Sequence, residues 1–239
     1  MPTMQEIYQS HSKEYDELVT REDHEGNLQK TLNSIAKFDG KSILELGTGT
    51  GRVTKLYTER AGRILCCDKS AHMIGCARKN LAPWAEKIDF LVVDTLNVPI
   101  TLEKYDVILE GWSFGHIIPE DSEAIPRTTQ LLVSCCEKNL KSGGTIIIIE
   151  TLGTNVDTPN PPKELLGTFF KLLEDKHGFQ KKVISTDYKF PSNEEASRVM
   201  GFFFGDIMKE SVKKRGSSVI PEFTGIWYKK LLSVEPGTL

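Results

Sequence analysis

The first 150 residues contain five short runs of apolar side chains, separated by segments with helical periodicity. The runs are continuous rather than alternating, which is typical of strands covered on both faces of a parallel sheet. The clearest contains four consecutive isoleucines, a composition that favours a buried strand over a helix. The predicted strands are Ser42–Leu46, Arg63–Cys67, Ile88–Val93, Tyr105–Glu110 and Gly144–Glu150.

Helices are predicted between these strands, and the alternation indicates β-α-β units in an α/β fold. The interval from Asp94 to Tyr105 is too short for a long helix, so we expect an abbreviated crossover there. Lys138 and Lys141, followed by Gly143, predict a basic helix end with a glycine cap. The predicted helices of this part are Arg52–Arg60, Ala71–Leu81 and Arg127–Leu140.

The pattern changes after Glu150, where a turn-rich connection leads into longer helices and alternating strands. Ser192–Glu195 has the S-x-x-E spacing of a capping box, so a helix should begin there and stop at Gly216. Met4–Val19 predicts a further helix, over the edge or top of the sheet. The remaining predicted elements are a helix at Lys163–Lys176 and strands at Phe179–Phe190 and Ser217–Lys229.

Composition narrows the class of protein without indicating a reaction. A chain of 239 residues with 39% hydrophobic residues can bury the core of one large α/β domain or of two small ones. A net charge of −3 argues against a dedicated nucleic-acid-binding protein, and no nucleic-acid partner is expected. The oligomeric state stays open between monomer and homodimer.

Cysteine usage and the N-terminal residues bear on cellular location. The five cysteines are an odd number without zinc-ligand spacing, so we expect reduced core thiols, no metal site and a cytoplasmic protein. Met1–Thr20 is polar and acidic, unlike a signal peptide. No apolar run approaches the roughly 18 residues that a membrane helix requires, so no membrane partner is expected.

The strand, glycine turn and helix start at Ile43–Arg52 (ILELGTGTGR) form the strongest candidate for a ligand site. Glycines allow close backbone approach and positive φ, and a helix start favours negative groups. A dinucleotide fingerprint needs glycine at its first, third and sixth positions, but Arg52 occupies the sixth. This departure argues against a nicotinamide-dependent dehydrogenase. Gly47, Gly49 and Gly51 form G-x-G-x-G instead.

Acidic residues complete the pattern. Glu45 precedes the glycines by two positions, Asp68 ends the second predicted strand, and Asp94 follows the third. Together with the G-x-G-x-G turn, this arrangement resembles that of class I S-adenosylmethionine-dependent methyltransferases, over about Ser42–Glu150. The resemblance implies a Rossmann-like fold, with a seven-stranded, mostly parallel, doubly wound sheet, an antiparallel C-terminal strand and an N-terminal helical lid.

The resemblance also implies one methyltransferase domain over residues 1–239. Residues 1–40 would form the lid, 41–150 the cofactor-binding core, and 151–239 the part that completes the sheet and the acceptor pocket. S-adenosylmethionine would be the cofactor. Its binding residues would be Tyr15, Glu45, Gly47, Thr48, Gly49, Gly51, Asp68, Lys69, Met73, Asp94, Thr95, Leu96, Glu110 and Gly111.

Several of these residues have specific implied roles. Asp68 would accept the ribose hydroxyls and Asp94 the adenine amino group, while the turn glycines shape the wall beside methionine and ribose. The backbone near Gly111 would receive the methionine ammonium. The resemblance thus places the cofactor across the carboxyl ends of successive strands.

The segment Gly111–His116 (GWSFGH) would face the methyl group. His116 is the candidate general base, because its unperturbed pKa suits neutral pH; a histidine that merely holds the loop is the alternative. Trp112 and Phe114 could form walls for the acceptor, and Tyr8 or Tyr15 could close over the methionine end. Packing is the alternative for these four rings.

The acceptor is expected to be a small molecule, methylated on O, N, S or C. Asn160–Lys163 (NPPK) is comparable to a motif of enzymes that methylate bases, but it follows the fifth strand and lacks the aromatic residue, so turn chemistry is the interpretation. An RNA or protein methyltransferase remains an alternative. A non-catalytic module that binds S-adenosylmethionine is another.

Overall fold

A computed structural model describes residues 4–100 and 103–233, apart from the side chains of Met4, Gln5 and Tyr8. The strands are β1 (Ser42–Leu46), β2 (Arg63–Asp68), β3 (Ile88–Val92), β4 (Tyr105–Gly111), β5 (Leu140–Thr154), β6 (Gln180–Ser185), β7 (Tyr188–Lys189), β8 (Val219–Ile220) and β9 (Glu222–Lys230). The helices are α1 (Met4–Ser10), α2 (Ser12–Val19), α3 (Asn27–Ile35), α4 (Arg52–Lys55), α5 (Ala71–Asn80), α6 (Ile125–Asn139), α7 (Glu164–Asp175), α8 (Asn193–Phe204) and α9 (Asp206–Arg215). Short 3-10 helices lie at Ala82–Lys87, Thr95–Asn97 and Phe114–His116.

In the described part of the chain, seven strands form one sheet in the order β3-β2-β1-β4-β5-β9-β6. β1 pairs in parallel with both β2 and β4, and β4 pairs in parallel with β5. β9 pairs antiparallel with both β5 and β6, so among the described strands of this sheet it alone runs opposite to the others. The predicted fold class is confirmed. The strand order reverses between β1 and β4, which creates a crevice at the carboxyl ends of these strands.

The four isoleucines of β5 divide between the two faces of the sheet. Ile146 and Ile148 belong to the core that contains residues of α6 and α7. Ile147 and Ile149 belong to the core that contains residues of α3 and α5. All four are fully buried, and burial of such a side chain contributes about 1.5–3 kcal/mol. The continuous apolar run therefore reflects helices on both faces of the sheet.

A third core joins the two ends of the described chain. Ile7 of α1 and Leu18 of α2 pack with Val199 and Phe203 of α8 and with Val212 of α9. The predicted single N-terminal helix is two helices, because His11 between them has non-helical backbone angles (φ −120°, ψ 42°). The N-terminal helices are thus held against the C-terminal helices by apolar contacts.

Some predicted elements differ from those observed. α4 ends at Lys55, because Leu56 and Tyr57 already form backbone bonds to residues three positions earlier. The predicted helix cap at Gly143 is wrong, since α6 ends at Asn139 and Gly143 lies inside β5. Gly205 (φ +88°) divides the long C-terminal helix into α8 and α9. Its cap at Gly216 is confirmed.

The strand predicted at Phe179–Phe190 is divided into β6 and β7. The Thr186 amide donates to the Glu222 carbonyl, and Asp187 accepts from the Ser185 hydroxyl and from the Glu222 amide. These bonds form a turn, after which β7 pairs with β8 in a separate two-stranded sheet. The predicted strand at Ser217–Lys229 is divided in the same way, into β8 and β9.

Within the ranges 4–100 and 103–233, none of the helices combines the length and apolar character that a membrane crossing requires. All five cysteines are free thiols. Cys66, Cys67 and Cys136 are buried, which agrees with the expectation of core thiols.

Asp106 joins three strands at their amino ends. Its carboxylate accepts from the Ser42 amide (3.0 Å), the Ser42 hydroxyl (2.8 Å) and Lys141 Nζ (2.8 Å). Partial burial by itself would raise the pKa of this carboxyl, but the bonds from Lys141 and Ser42 override it and hold the pKa well below its usual value. The ion pair therefore stabilises the folded state above the usual pKa of an unfolded aspartate, near 3.9.

We expect Asp106→Asn to lower the midpoint of thermal unfolding by roughly 3–6 °C at pH 7, because about 1–2 kcal/mol of hydrogen bonding is lost. Asp89→Asn is the matched control, since its partner Arg63 and Asp89 itself are both largely exposed and such pairs contribute little. The difference from wild type should shrink as pH falls below about 3.9. Equal midpoints for the two variants at pH 7 would contradict this assignment.

Candidate functional site

A cavity of about 750 Å³ opens at the carboxyl ends of β1, β2 and β4, beside the reversal of strand order. It receives residues from the glycine turn, from the segments after β2, β3 and β4, and from the N-terminal helices. Its lining consists of Gln9, Tyr15, Gly47, Gly49, Asp68, Lys69, Ser70, Ala71, His72, Asp94, Thr95, Gly111, Trp112, Ser113, His116 and Ile117. Most of the predicted site residues are therefore brought together here.

The glycine turn uses its three glycines in different ways. Gly47, Gly49 and Gly51 all have positive φ (69°, 57° and 88°), which glycine adopts without strain. A Cβ at Gly47 would lie 2.3 Å from the Ser113 side chain, so Gly47 also lets the turn approach the loop after β4. A Cβ at Gly51 would meet Leu81 instead. Gly51 lies outside the cavity lining, and its predicted place beside the ligand stays a prediction.

Two further residues of this region lie beneath the turn. The Thr48 amide donates to the Cys67 carbonyl (3.0 Å), and its side chain is buried outside the cavity lining. Glu45 is buried and accepts from Thr54 Oγ1 (2.7 Å) and from the Tyr57 hydroxyl. Burial raises the pKa of Glu45 to about 7, although these bonds oppose the shift. Glu45 thus joins β1 to the segment of α4, and its predicted place at the ligand is corrected.

Asp68 stands at the end of β2 and holds both of its flanks. Its Oδ2 accepts from the Gly49 amide (2.9 Å), and its Oδ1 accepts from the Ser70 amide (2.8 Å). Burial raises the pKa of Asp68, and the two bonds oppose the rise. Each carboxylate oxygen has a second lone pair, so the group can still accept from a ligand hydroxyl.

The helix after Asp68 begins as the sequence predicts. Ser70 caps α5 by accepting from the Met73 amide (3.2 Å). Lys69 lines the cavity. Met73 does not, because its side chain points into the interior and is only 1% exposed. The predicted contact of Met73 with the ligand is therefore corrected.

Asp94 ends the segment after β3 and caps the 3-10 helix Thr95–Asn97. Its Oδ1 accepts from the Leu96 amide (3.0 Å), and both Asp94 and Thr95 line the cavity. The Leu96 side chain is partly exposed and lies outside the lining. A 3-10 helix turns consecutive residues by about 120°, which separates Leu96 from Thr95.

The loop after β4 bends sharply at Trp112, which has positive φ (54°) and donates its amide to the Ile149 carbonyl (2.8 Å). The Trp112 ring lines the cavity, and the Arg52 guanidinium lies 4.4 Å from its centroid. Arg52 also forms a 2.5 Å ion pair with Glu22, whose side chain is 4% exposed. The residue that breaks the dinucleotide fingerprint thus supports the Trp112 wall.

The other predicted residues of this loop divide between cavity and core. His116 lines the cavity, and burial, reinforced by the charges of Lys69 and Lys163, lowers its pKa. Phe114 is fully buried in the core beside α6, which corrects its predicted place in the acceptor pocket. Gly111 lines the cavity, but the Glu110 carboxylate turns inward beneath the loop.

The N-terminal helices close one side of the cavity. Gln9 at the end of α1 and Tyr15 of α2 both line it. Burial raises the pKa of Tyr15 to about 12, so the hydroxyl stays protonated and can donate at neutral pH. The predicted side chain of Tyr8 lies outside the described part of the structure.

Comparison with known proteins agrees with this geometry. Residues 43–135 match the family model described as a methyltransferase domain. An uncharacterized methyltransferase of Geobacillus sp. (strain WCH70) is 28% identical over 151 residues, 61% of this chain and 66% of that protein. The demethylmenaquinone methyltransferase of Lactococcus lactis subsp. lactis is 28% identical, over 62% of this chain and 58% of that protein. The matches therefore span about two thirds of the relatives' length or less.

These comparisons indicate a class I S-adenosylmethionine-dependent methyltransferase. A solved structure, precorrin 8W decarboxylase from Methanobacterium thermoautotrophicum, has a TM-score of 0.55 and covers 85% of this chain and 89% of its own. Its 16% identity supports the fold alone.

The family match supports S-adenosylmethionine as the cofactor, and the residues at the cavity fit that molecule. Asp68 and Asp94 offer carboxylate oxygens where hydroxyl and amino hydrogens need acceptors. The turn at Gly47 and Gly49 has no side chains to fill the space beside them.

Several residues that line the cavity were not predicted from the sequence. They come from positions that carry no recognisable motif, since α1 and the first turn of α5 reach the cavity only through the fold. His72 also lies in this lining, in the first turn of α5. Ser113, inside GWSFGH, could have been found from its neighbours. The missed residues are Gln9, Ser70, Ala71, His72, Ser113 and Ile117.

We expect Gly47→Ala to weaken binding of S-adenosylhomocysteine about tenfold or more, equivalent to about 1.4 kcal/mol, because its Cβ would displace Ser113 and the loop after β4. Gly40→Ala is the matched control: Gly40 has the same φ (69°), but no atom lies within 4 Å of its added Cβ. Calorimetric titration measures both affinities. Equal affinities for the two variants would show that the close approach at Gly47 is unimportant.

Proposed function

We propose that this methyltransferase transfers a methyl group from S-adenosylmethionine to an O, N, S or C atom of a small molecule. The observation that carries the proposal is the wall of the cavity beyond the expected cofactor residues. It consists of Tyr15, Trp112, His116 and Ile117, with Gln9 and His72 nearby in the lining. A volume of about 750 Å³ is typical of small-molecule sites, and the cofactor would occupy much of it.

Two further observations favour a small acceptor. Asn160, from the motif compared with base methyltransferases, donates its amide to the Leu152 carbonyl (2.6 Å) in the turn after β5 and does not line the cavity. Two relatives, demethylmenaquinone methyltransferase and phosphoethanolamine N-methyltransferase 1 of Triticum aestivum, are named for small molecules. Both observations argue against the RNA or protein alternative.

The cofactor would be held by residues from successive strand ends. Asp68 would accept the ribose hydroxyls, and Asp94 would accept the adenine amino group, with Thr95 and Lys69 alongside. The Gly111 backbone would receive the methionine ammonium, beside the open turn of Gly47 and Gly49. Tyr15 would cover the methionine end from α2.

When bound, S-adenosylmethionine supplies an electrophilic methyl group on a good leaving group, so neither a metal nor a covalent enzyme intermediate is required. The protein has to align the acceptor and exclude water, and such positioning can lower a barrier by about 7–11 kcal/mol in favourable cases. Trp112 and Tyr15 would perform this task.

His116 would remove the proton from an acceptor hydroxyl or ammonium. Burial and the charges of Lys69 and Lys163 lower its pKa, so the imidazole is neutral and able to accept a proton at pH 7. The base requirement disappears for a thiolate or a carbanion-like carbon. In that case His116 would only form part of the wall around the acceptor.

We expect Asp68→Ala to lower the affinity for S-adenosylhomocysteine about tenfold to a hundredfold, because charge-assisted hydrogen bonds to the ribose are lost. Asp89→Ala, on the exposed side of β3, is the control and should bind within about twofold of wild type. Calorimetry with S-adenosylhomocysteine and with NAD would measure both cofactor classes. Binding of NAD alone would overturn the proposed function.

We expect His116→Ala to lower kcat about 10²–10⁴-fold while cofactor affinity stays within twofold, because a general base contributes in this range. Transfer of labelled methyl from S-adenosylmethionine to a panel of small hydroxyl and amine compounds is the assay. Wild-type kcat should fall only below pH 6.5, as the depressed His116 pKa is crossed and the base becomes protonated.

The matched control is His24→Ala, since His24 lies outside the cavity. Full activity of His116→Ala would remove the residue as a base. Labelling of RNA or protein fractions, with none in the small-molecule panel, would overturn the small-molecule acceptor.

A further inference from the structure

Two buried glutamates lie beneath the loop that carries His116. Glu110 stands near the end of β4 and is 1% exposed, and Glu150 stands in β5 and is 3% exposed. The register pairs Glu110 with Ile148, so Glu150, two positions further along β5, lies on the same face of the sheet. The two carboxylates therefore share the space under one loop.

Three consecutive backbone amides of the loop donate into this pair. Glu110 Oε1 accepts from the Ser113 amide (2.5 Å), the Ser113 hydroxyl (2.9 Å) and the Phe114 amide (3.0 Å). Glu150 Oε1 accepts from the Gly115 amide (2.6 Å). The next residue, His116, continues the same turn, with its amide donating to the Ser113 carbonyl (3.2 Å). The backbone immediately before His116 is thus anchored at every residue.

Gly115 is matched to the carboxylate below it. A Cβ at this position would lie 3.0 Å from Glu150 Oε2 and 3.2 Å from Oε1, tighter than ordinary van der Waals contact. The absence of a side chain therefore lets the loop rest directly on Glu150. This contact gives a physical reason for the second glycine of GWSFGH.

The pair is supported by hydrogen bonds rather than by ion pairs. In the described ranges, neither carboxylate forms a salt bridge. Burial, followed by the charges of Cys135 and Glu110, raises the pKa of Cys136 in α6, and β9 presents Gly225 opposite Glu150. Burial raises the pKa of Glu110 to about 7, and burial followed by the Glu110 charge raises the pKa of Glu150 well above its usual value. The amide bonds oppose both shifts.

We propose that Glu110 and Glu150 are positioning residues that hold the segment Ser113–Gly115 and thereby set the place of His116 at the acceptor side of the cavity. This inference rests on the proposed function, because it gives a purpose to the placement of His116. Neither carboxylate lines the cavity, so both act through the loop. Burial of two carboxylates costs free energy. However, only hydrogen-bond acceptors can bind the three loop amides, which apolar side chains would leave without partners.

Hydrogen exchange of the loop amides tests the anchoring in the protein saturated with S-adenosylhomocysteine. We expect Glu150→Ala to speed exchange of the Gly115 amide by about tenfold or more, because this amide loses its acceptor. Glu150→Gln retains an amide oxygen that can accept, so exchange should stay within about threefold of wild type. The matched control is Glu222→Ala, another buried glutamate of the same sheet, which accepts from Thr151 Oγ1 instead.

Turnover with an acceptor from the panel tests the consequence. We expect Glu150→Ala to lower kcat about tenfold or more with little change in KM for S-adenosylmethionine, and Glu150→Gln to restore most of kcat. Unchanged loop exchange in Glu150→Ala, or an equal increase in Glu222→Ala, would overturn the anchoring. Faster loop exchange in Glu150→Ala together with an unchanged kcat would overturn the positioning role and leave the anchoring intact. Failure of the proposed function would appear separately, as loss of S-adenosylhomocysteine binding by the wild-type protein.

Discussion

The reversal of strand order between β1 and β4 is the constraint on which the site depends. Parallel strands on either side of this point send their connections to opposite faces of the sheet, so a crevice remains between them. The glycine turn after β1 and the loop after β4 border that crevice from its two sides. Gly47 and Ser113 meet there, and a single added Cβ at Gly47 would separate them. The cavity is therefore a product of topology, refined by the smallest side chain.

Buried carboxylates beneath this crevice form hydrogen bonds to the segments that border the cavity. Glu45 ties β1 to the segment of α4, while Glu110 and Glu150 hold the loop after β4. Burial of an isolated carboxylate costs free energy. Each of these three, however, accepts hydrogen bonds from donors that would otherwise have no partner in the interior. The loop segment just before His116 thus rests on acidic groups that do not line the cavity.

Prediction from sequence was most accurate where the chain repeats a regular geometry. The continuous apolar run of β5 indicated helices on both faces, and the spacing at Ser192–Glu195 indicated the start of α8 because a cap is a local feature. Within the loop after β4 the same reasoning placed Phe114 in the acceptor pocket, which is wrong. Positive φ at Trp112 breaks the alternation of side-chain directions, so Trp112 faces the cavity and Phe114 enters the core.

The sequence by itself determined the class of fold, the G-x-G-x-G turn and the acids at the strand ends, because these follow from short-range spacing and hydrophobic periodicity. Only the tertiary structure decided which of these residues face the cavity. In the tertiary structure Gly51 and Met73 lie outside the cavity lining, whereas Gln9 and His72 lie in it. It also gave Glu110 and Glu150 a shared place under the loop. Such relations join residues far apart in the chain, and they are set by strand register and helix packing that no local pattern encodes.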